Sequence, residues 1–144
     1  RCFHPRPPDL YALLQQAAER FGDNEAVVCG GTRLSWREVM RAATDLAAGL
    51  ARLGVARGDR VVLFLSNRPE FVVGLFAVQR LGAIVVPVGV REQRDGLAWI
   101  LGHCGAKALL LDWVKTIFCS LHICVKRKLM SSAGSWSCCF IPLV

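Results

Sequence analysis

GVARGDRVVLFLSNRPEFVVGLFAVQRLGAIVVPV, residues 54–88, is the stretch that predicts the fold. Its two apolar, β-branched runs, RVVLFLS (60–66) and AIVVPV (83–88), are typical of strands buried in a parallel sheet. Between them, Pro69 suits the first turn of a helix, Glu70 complements the helix dipole, and Gly82 suits the residue after the helix end. The stretch therefore predicts one βαβ unit in a parallel sheet covered on both faces.

On the N-terminal side, an extended segment (1–8) leads to Asp9, which is a good helix N-cap. The helix that follows ends at Gly22, and its predicted buried stripe consists of Leu10, Leu13, Leu14, Ala17, Ala18 and Phe21. Two short runs, 26–29 and 32–35, flank Gly30 and Gly31 and predict a hairpin with a two-residue primed turn. Ser35 and Glu38 then form a capping box for a helix that runs to Gly54.

On the C-terminal side, Asp95 is predicted to cap a short helix over residues 96–101, and KALLLD (107–112) to form another parallel strand. The predicted fold class is α/β. It is a layered sheet with a β-hairpin, βαβαβ crossover units and helices on both faces.

Composition and charge exclude several classes of protein. Hydrophobic residues make up 53% of the chain and charged residues 20%, which excludes a disordered chain. The net charge of +7 raises nucleic acid or an anionic membrane as partners, but residues 1–113 carry 14 basic and 11 acidic residues without a basic stripe. We therefore expect no nucleic-acid partner. The most apolar window, 109–125, contains charged residues, so we expect no transmembrane segment.

The tail, residues 114–144, differs from the body. It has no sustained period of a helix or strand and no caps, and its four basic residues include three Lys, whereas residues 1–113 have thirteen Arg and one Lys. Val114-Lys115 is also what a splice donor read in frame would encode. The predicted organisation is an entry segment (1–8), a body (9–113) and a poorly structured, non-native tail that resembles translated intron (114–144).

Candidate chemical groups each have a plainer structural interpretation. Cys119, His122 and Cys124 form a weak metal-like pattern that lacks a paired knuckle, since Cys138 and Cys139 are adjacent. In the body of the chain, Cys29 and Cys104 are expected to be small buried hydrophobic residues in a reducing compartment. Seven cysteines without a secretory leader do not predict a disulfide framework. The compartment stays open, with the cytoplasm as the default expectation.

Polar residues at predicted strand ends also have structural explanations. Asp112 and Asn67 follow strands where α/β folds often place catalytic groups, but a strand-ending and a turn-forming role are the better interpretations. With His4, His103 and His122 as the only histidines, no catalytic triad can be argued. Lys126, Arg127 and Lys128 are best explained as a solvated charge run. No glycine-rich nucleotide fingerprint follows a strand.

The succession LSWRE at 34–38, GVARGDRV at 54–61, NRPEF at 67–71 and GAIVVPV at 82–88 resembles the AMP-forming acyl-CoA synthetases, which belong to the adenylate-forming enzymes. The resemblance covers residues 10–112 and stops before the tail, and it implies that residues 9–113 are a truncated AMP-binding N-terminal subdomain. It implies an ATP-dependent ligase that joins a carboxylic acid, fatty or aryl, to coenzyme A through an acyl-adenylate, with Mg²⁺ on the triphosphate.

The family's phosphate loop ending in Pro-Lys-Gly, its Tyr-Gly-x-Thr-Glu segment, its ribose-binding Asp and its catalytic Lys are missing from this sequence. No catalytic, cofactor-binding or metal residue is therefore assigned here, and ATP, Mg²⁺ and coenzyme A are implied for the complete enzyme alone. The main interpretation is an inactive scaffold segment. The alternatives are a non-catalytic interaction module that self-associates or pairs with the full-length enzyme through an unfinished sheet edge, and a small nucleotide-binding α/β protein of another family.

Overall fold

A computed structural model describes residues 7–112, 121–126 and 136–140. The helices and strands in chain order are α1 (Leu10–Phe21), β1 (Glu25–Cys29), β2 (Thr32–Ser35), α2 (Trp36–Arg52), β3 (Arg60–Phe64), α3 (Pro69–Arg80), β4 (Ile84–Pro87), α4 (Arg94–His103), β5 (Ala108–Asp112), β6 (Leu121–Lys126) and β7 (Trp136–Phe140). Strands β1 and β2 pair as a separate antiparallel hairpin, and the other five form one sheet in the order β4-β3-β5-β6-β7.

The central βαβ unit has the predicted form. Strand β3 pairs in parallel with β4 on one side and with β5 on the other. Pro69 begins α3, and Gly82 follows the helix with a φ of 65°, a value that glycine adopts without strain. The α/β class, the βαβαβ order and the placement of helices on both faces of the sheet are confirmed.

The helix starts follow the local signals in three of four cases, including Pro69 at the start of α3. Asp9 accepts a hydrogen bond from the Ala12 amide at 2.7 Å, and Ser35 and Glu38 form the predicted capping box at the start of α2. For α4 the prediction was wrong, because Gln93 is the N-cap and Asp95 lies inside the first turn. Helix α4 also begins at Arg94 and continues to His103, so it is longer than the predicted 96–101; Cys104 is its C-cap, and Gly105 follows with a φ of 60°.

The buried side of α1 differs from the prediction. Tyr11, Leu14 and Ala18 are buried, whereas Leu10, Leu13 and Phe21 are between 42% and 49% exposed. The apolar residues of α1 form a stripe wider than the contact with α2 and α3 can cover, and Tyr11 is buried because its hydroxyl has hydrogen-bond partners there.

The hairpin and the cysteines need smaller corrections. Gly30 has a φ of 56°, while Gly31 lies outside the left-handed region, so only the first loop residue needs glycine's freedom. Cys29 and Cys104 are partly buried rather than fully buried, and both are free thiols.

Two strands lie in the tail, where the sequence predicted no regular elements. Strand β6 pairs antiparallel with β5, from Ala108 opposite Val125 to Asp112 opposite Leu121, and β7 pairs antiparallel with β6. The sheet is therefore mixed, and β5 is not an edge strand. Whether residues 114–144 are native sequence stays a prediction.

Candidate functional site

The strand order places a topological switch point between β3 and β5. The chain leaves β3 through α3 to reach β4 on one side, then returns through α4 to β5 on the other side. Alternate residues of β3 show that the two helices lie on opposite faces, since Val61 and Leu63 contact the α3 side and Val62 the α4 side. In doubly wound folds, ligands bind outside the carboxyl ends of the strands at such a point. This edge is the candidate site.

The loop after β3 places polar groups at this edge. Asn67 is exposed, and its carbonyl oxygen accepts a weak hydrogen bond from the Cys29 thiol at 3.7 Å. Arg68 is the N-cap of α3 without a capping hydrogen bond from its side chain, and Glu70 lies in the first turn. Asn67 thus lies in the turn that leads into α3, where the sequence placed it.

Arg68 and Glu70 form an ion pair at the start of α3. The Arg68 Nε lies 3.4 Å from the Glu70 Oε2, and the two side chains are 32% and 26% exposed. The Glu70 carboxylate also lies where the α3 dipole favours negative charge. Because the two charges neutralise each other and Glu70 already occupies the helix N-terminus, these residues are suited to stabilising the helix start rather than to binding a phosphate.

Asp112 lies at this same carboxyl edge, at the end of β5 beside β3. Asp112 ends β5 opposite Leu121, which agrees with a strand-ending position. His103 stacks on Trp99 with ring centroids 4.6 Å apart, on α4. His122, Cys124 and Lys126 are in β6, and Cys138 and Cys139 are in β7. His4, Cys119, Arg127 and Lys128 lie outside the described residues.

Within residues 7–112, 121–126 and 136–140, no group of three or more His, Cys, Asp or Glu side chains could hold a metal ion. In the same part of the chain, no helix combines the length and the apolar character needed to cross a membrane.

A cleft of about 480 Å³ lies at the opposite end of the sheet. It is lined by Pro8, Asp9, Arg57, Gln79, Arg80, Leu81, Gly82 and Ala83. Arg80 is already engaged, since it donates a hydrogen bond to the Tyr11 hydroxyl and lies over the Tyr11 ring at 4.9 Å. Tyr11 in turn lies 3.1 Å from the Thr44 hydroxyl, so the arginine joins α1, α2 and α3. The cleft is on the amino side of β4, away from the switch point.

Two charged groups have structural roles that are visible in their hydrogen bonds. The Glu38 carboxylate accepts from the Ser35 backbone amide at 2.8 Å and from the Ser35 hydroxyl at 2.9 Å. The backbone hydrogen bond, followed by that of the hydroxyl, lowers the pKa of Glu38. The Arg60 guanidinium donates to the carbonyl oxygens of Cys104 and Gly105 at 2.7 Å each, just beyond the end of α4.

Comparison with known proteins identifies the family. The family model of AMP-binding enzymes matches residues 14–135. The chain therefore belongs to the AMP-binding enzyme family. Triostin synthetase I of Streptomyces triostinicus is 43% identical over 96 residues, which are 67% of this chain and 18% of the relative. Crotonobetaine/carnitine–CoA ligase of Escherichia coli is 36% identical over 106 residues, 70% of this chain and 20% of the ligase.

Solved structures agree with the fold. The N-terminal subdomain of Klebsiella oxytoca NpsA is 25% identical, with a TM-score of 0.69, and the match covers 76% of this chain and 29% of that subdomain. The chain thus matches an N-terminal segment of adenylate-forming synthetases and ligases. It spans about a fifth of the length of the two curated relatives. The relatives' names differ, so the family is established at the level of adenylate-forming enzymes.

Sequence reasoning missed the Arg60 contact with the end of α4 and the Arg68–Glu70 ion pair. Arg60 reaches a carbonyl 44 residues away, and this contact has no local signature. The ion pair had a weak signal, since opposite charges two residues apart beside a helix-starting proline are visible in the sequence.

Proposed function

We propose that this chain is the N-terminal scaffold segment of an ATP-dependent acid–CoA ligase. The complete enzyme would convert a carboxylic acid, fatty or aryl, to an acyl-adenylate with ATP and Mg²⁺, and then to a thioester with coenzyme A. The match to one relative that is a CoA ligase by name, over 70% of the chain, carries this proposal. Magnesium would shield the triphosphate during attack by the carboxylate.

We propose further that the chain is inactive by itself. Adenylation needs donors for a triphosphate and a cation at the site of attack. The charged pair at the switch point, Arg68 and Glu70, neutralises itself, and the family's phosphate loop and catalytic lysine do not occur in the sequence. The role of this segment is to provide strands β3, β4 and β5, with their helices, as a support for a site built elsewhere.

A chimera tests the scaffold role. Residues 10–112 would replace the matching segment of the E. coli crotonobetaine/carnitine–CoA ligase, and thioester formation would be measured with its own substrate. We expect a folded chimera with measurable ligase activity, because the substitute segment keeps the βαβαβ order. A matched control chimera carries Leu63→Asp, which places a charge in the buried side of β3 and should abolish activity. An inactive chimera that folds as well as the parent ligase would contradict the proposal.

The interaction module is the less favoured function, and the geometry of β4 argues against pairing at that edge. The amides of Ile84 and Val88 donate to Asp59 and Leu63 on the β3 side. Because alternate residues point to opposite sides, the outward positions in β4 are Val85 and Pro87, and proline has no amide hydrogen. This edge therefore presents one outward N–H group, which is a poor template for strand addition. A chain that is monomeric in light scattering would agree with this argument.

A further inference from the structure

The pairing of strands β6 and β7 places two cysteines directly opposite each other. The strands are antiparallel, and Cys124 of β6 is the Cα partner of Cys138 of β7. In the sequence, these two cysteines are separated by residues 125–137. Cys139, which follows Cys138 on the same strand, is opposite Ile123 instead. The register therefore brings Cys124 together with one particular cysteine of the tail.

The backbone spacing at this position suits a disulfide bond. Directly opposed residues of an antiparallel pair have Cα atoms about 4.5–5.5 Å apart. A disulfide needs a Cα–Cα distance of about 4.4–6.8 Å, so a directly opposed pair falls within its range. Successive residues of a strand belong to opposite faces of the sheet, so only one of Cys138 and Cys139 shares the face of Cys124. That residue is Cys138, because it is the register partner.

The row that contains the two cysteines continues into the body of the sheet. Cys124 is also the register partner of Leu109 in β5, which is buried on the sheet face toward α4. Leu109, Cys124 and Cys138 therefore occupy one row across three strands. Five residue pairs join β6 to β5, and five join β7 to β6. A slip of β7 by one residue would move each of its residues to the other face, so the juxtaposition depends on this register.

We propose that Cys124 and Cys138, juxtaposed as register partners, form a reversible disulfide that joins β7 to β6. The oxidant is a low-molecular-weight disulfide such as oxidised glutathione. The thiolate of one cysteine attacks this disulfide and releases one thiol molecule, and the second cysteine then displaces the other thiol molecule from the mixed disulfide. Two protein thiols and one small disulfide thus give one protein disulfide and two small thiols. The inference does not depend on the ligase function.

The bond makes the outer part of the sheet sensitive to redox conditions. Strand β7 is at one end of the strand order, so it is held to the sheet through β6 alone. The disulfide closes a ring over residues 125–137, and in the chain-entropy model such a cross-link stabilises the fold by restricting the unfolded chain. A reducing thiol pool reverses the exchange and leaves β7 paired without a covalent link. The attachment of β7 therefore follows the redox state of the surrounding thiols.

Oxidation followed by mass spectrometry tests the proposal. The reduced chain of 144 residues is equilibrated with oxidised and reduced glutathione, and the remaining thiols are then alkylated. We expect the main product to be a monomer in which five of the seven cysteines are alkylated, since two are joined. Cys138→Ser should lower the cross-linked fraction at least tenfold. Cys124→Ser should lower it by the same factor.

The matched control is Cys139→Ser, because Cys139 is next to Cys138 in the sequence but opposite Ile123 in the sheet. It should leave the cross-linked fraction within twofold of the parent, and so should Cys119→Ser. Oxidation in concentrated urea is a second control, since the preference for Cys138 over Cys139 should disappear when the register is lost.

Circular dichroism shows whether each variant keeps the parent's fold, and Cys124→Ser alone serves if Cys138→Ser does not. A folded parent without the cross-link would overturn the proposal. Undiminished cross-linking in Cys138→Ser, or an equal loss in Cys139→Ser, would also overturn it, because the pairing would then not follow the register.

Discussion

Gly74 lies where α3 packs against the sheet, and the effect of substituting it on stability should change sign with the size of the new side chain. Gly74 is buried in the middle of α3, and a Cβ added to it would lie 3.4 Å from the Cδ2 atoms of Leu63 and Leu110. That distance is ordinary van der Waals contact for one methyl group. A larger side chain would extend into the two leucines, whose residues are fully buried and lie in paired strands that limit their movement.

The expected magnitudes follow from these contacts. Gly74→Ala gains about 1 kcal/mol of helix propensity and a share of the roughly 0.8 kcal/mol for a buried methyl group, so it should stabilise the fold by about 1 kcal/mol. Gly74→Val adds two more methyl groups to a filled space, and overpacking costs about 1–3 kcal/mol. The expected order of stability at this position is Ala above Gly above Val.

Urea denaturation followed by far-UV circular dichroism would measure the free energies of unfolding. The matched control is Gly102 in α4, where an added Cβ meets no atom within 4 Å. There both substitutions should stabilise slightly, in the order Ala above Val above Gly. A Gly74→Val variant as stable as Gly74→Ala would refute the close approach. A destabilising Gly74→Ala would show that the leucines cannot accommodate even one methyl group.

Three further predictions concern other parts of the chain. Arg60→Gln should lower the free energy of unfolding by about 1–2 kcal/mol, because the hydrogen bonds to the carbonyls after α4 are lost. Arg60→Lys should recover little of this stability, because lysine cannot make both bonds. Equal stability of all three proteins would contradict this prediction. Because the pKa of Glu38 is lowered in the folded state, the contribution of its carboxylate to stability is complete above the ordinary glutamate pKa of about 4.3 and is lost as pH falls through the lower folded value. In an acid titration, Glu38→Gln should therefore lose stability less steeply than the parent. The same slope in both proteins would refute the assignment. If the tail is translated intron, long-read cDNA across codons 100–144 should show splicing after Trp113 into sequence that encodes the glycine-rich loop. A spliced downstream exon that encodes the tail as given would contradict the hypothesis.

The stability of the isolated chain gives one more test. Because the face of the sheet toward α4 has three buried side chains among the described residues, we expect the chain to unfold with a free energy below the roughly 5–15 kcal/mol of ordinary domains. Denaturant melts of the parent protein measure this value directly. Cooperative unfolding with a full-sized free energy would show that the face toward α4 needs no partner.

The positions of most elements could be predicted because their signals are local. Asp9, the Ser35–Glu38 box and Pro69 each satisfy the first amide groups or backbone angles of a helix within a few residues, so the sequence alone indicates where α1, α2 and α3 begin. The start of α4 was misplaced because Gln93 makes no side-chain capping bond, which leaves no chemical sign of the boundary. At the candidate site, Asn67 and Asp112 were placed correctly at strand ends, but their neighbours across the fold could not be named.

What the sequence by itself determined is the α/β class and the central βαβ unit, because apolar periodicity and caps act over a few residues. The family was indicated separately, by the resemblance of motifs such as NRPEF at 67–71. The tertiary structure alone decided that β5 lies on the far side of β3 from β4, and this order creates the switch point. It also decided that α1 buries Tyr11 rather than Leu10, and that, among the described residues, the face toward α4 has three buried side chains against 17 on the other face. The physical reason is that strand order and burial depend on contacts between segments tens of residues apart. Periodicity along the chain shows which face of an element is buried but not which other segment packs against that face.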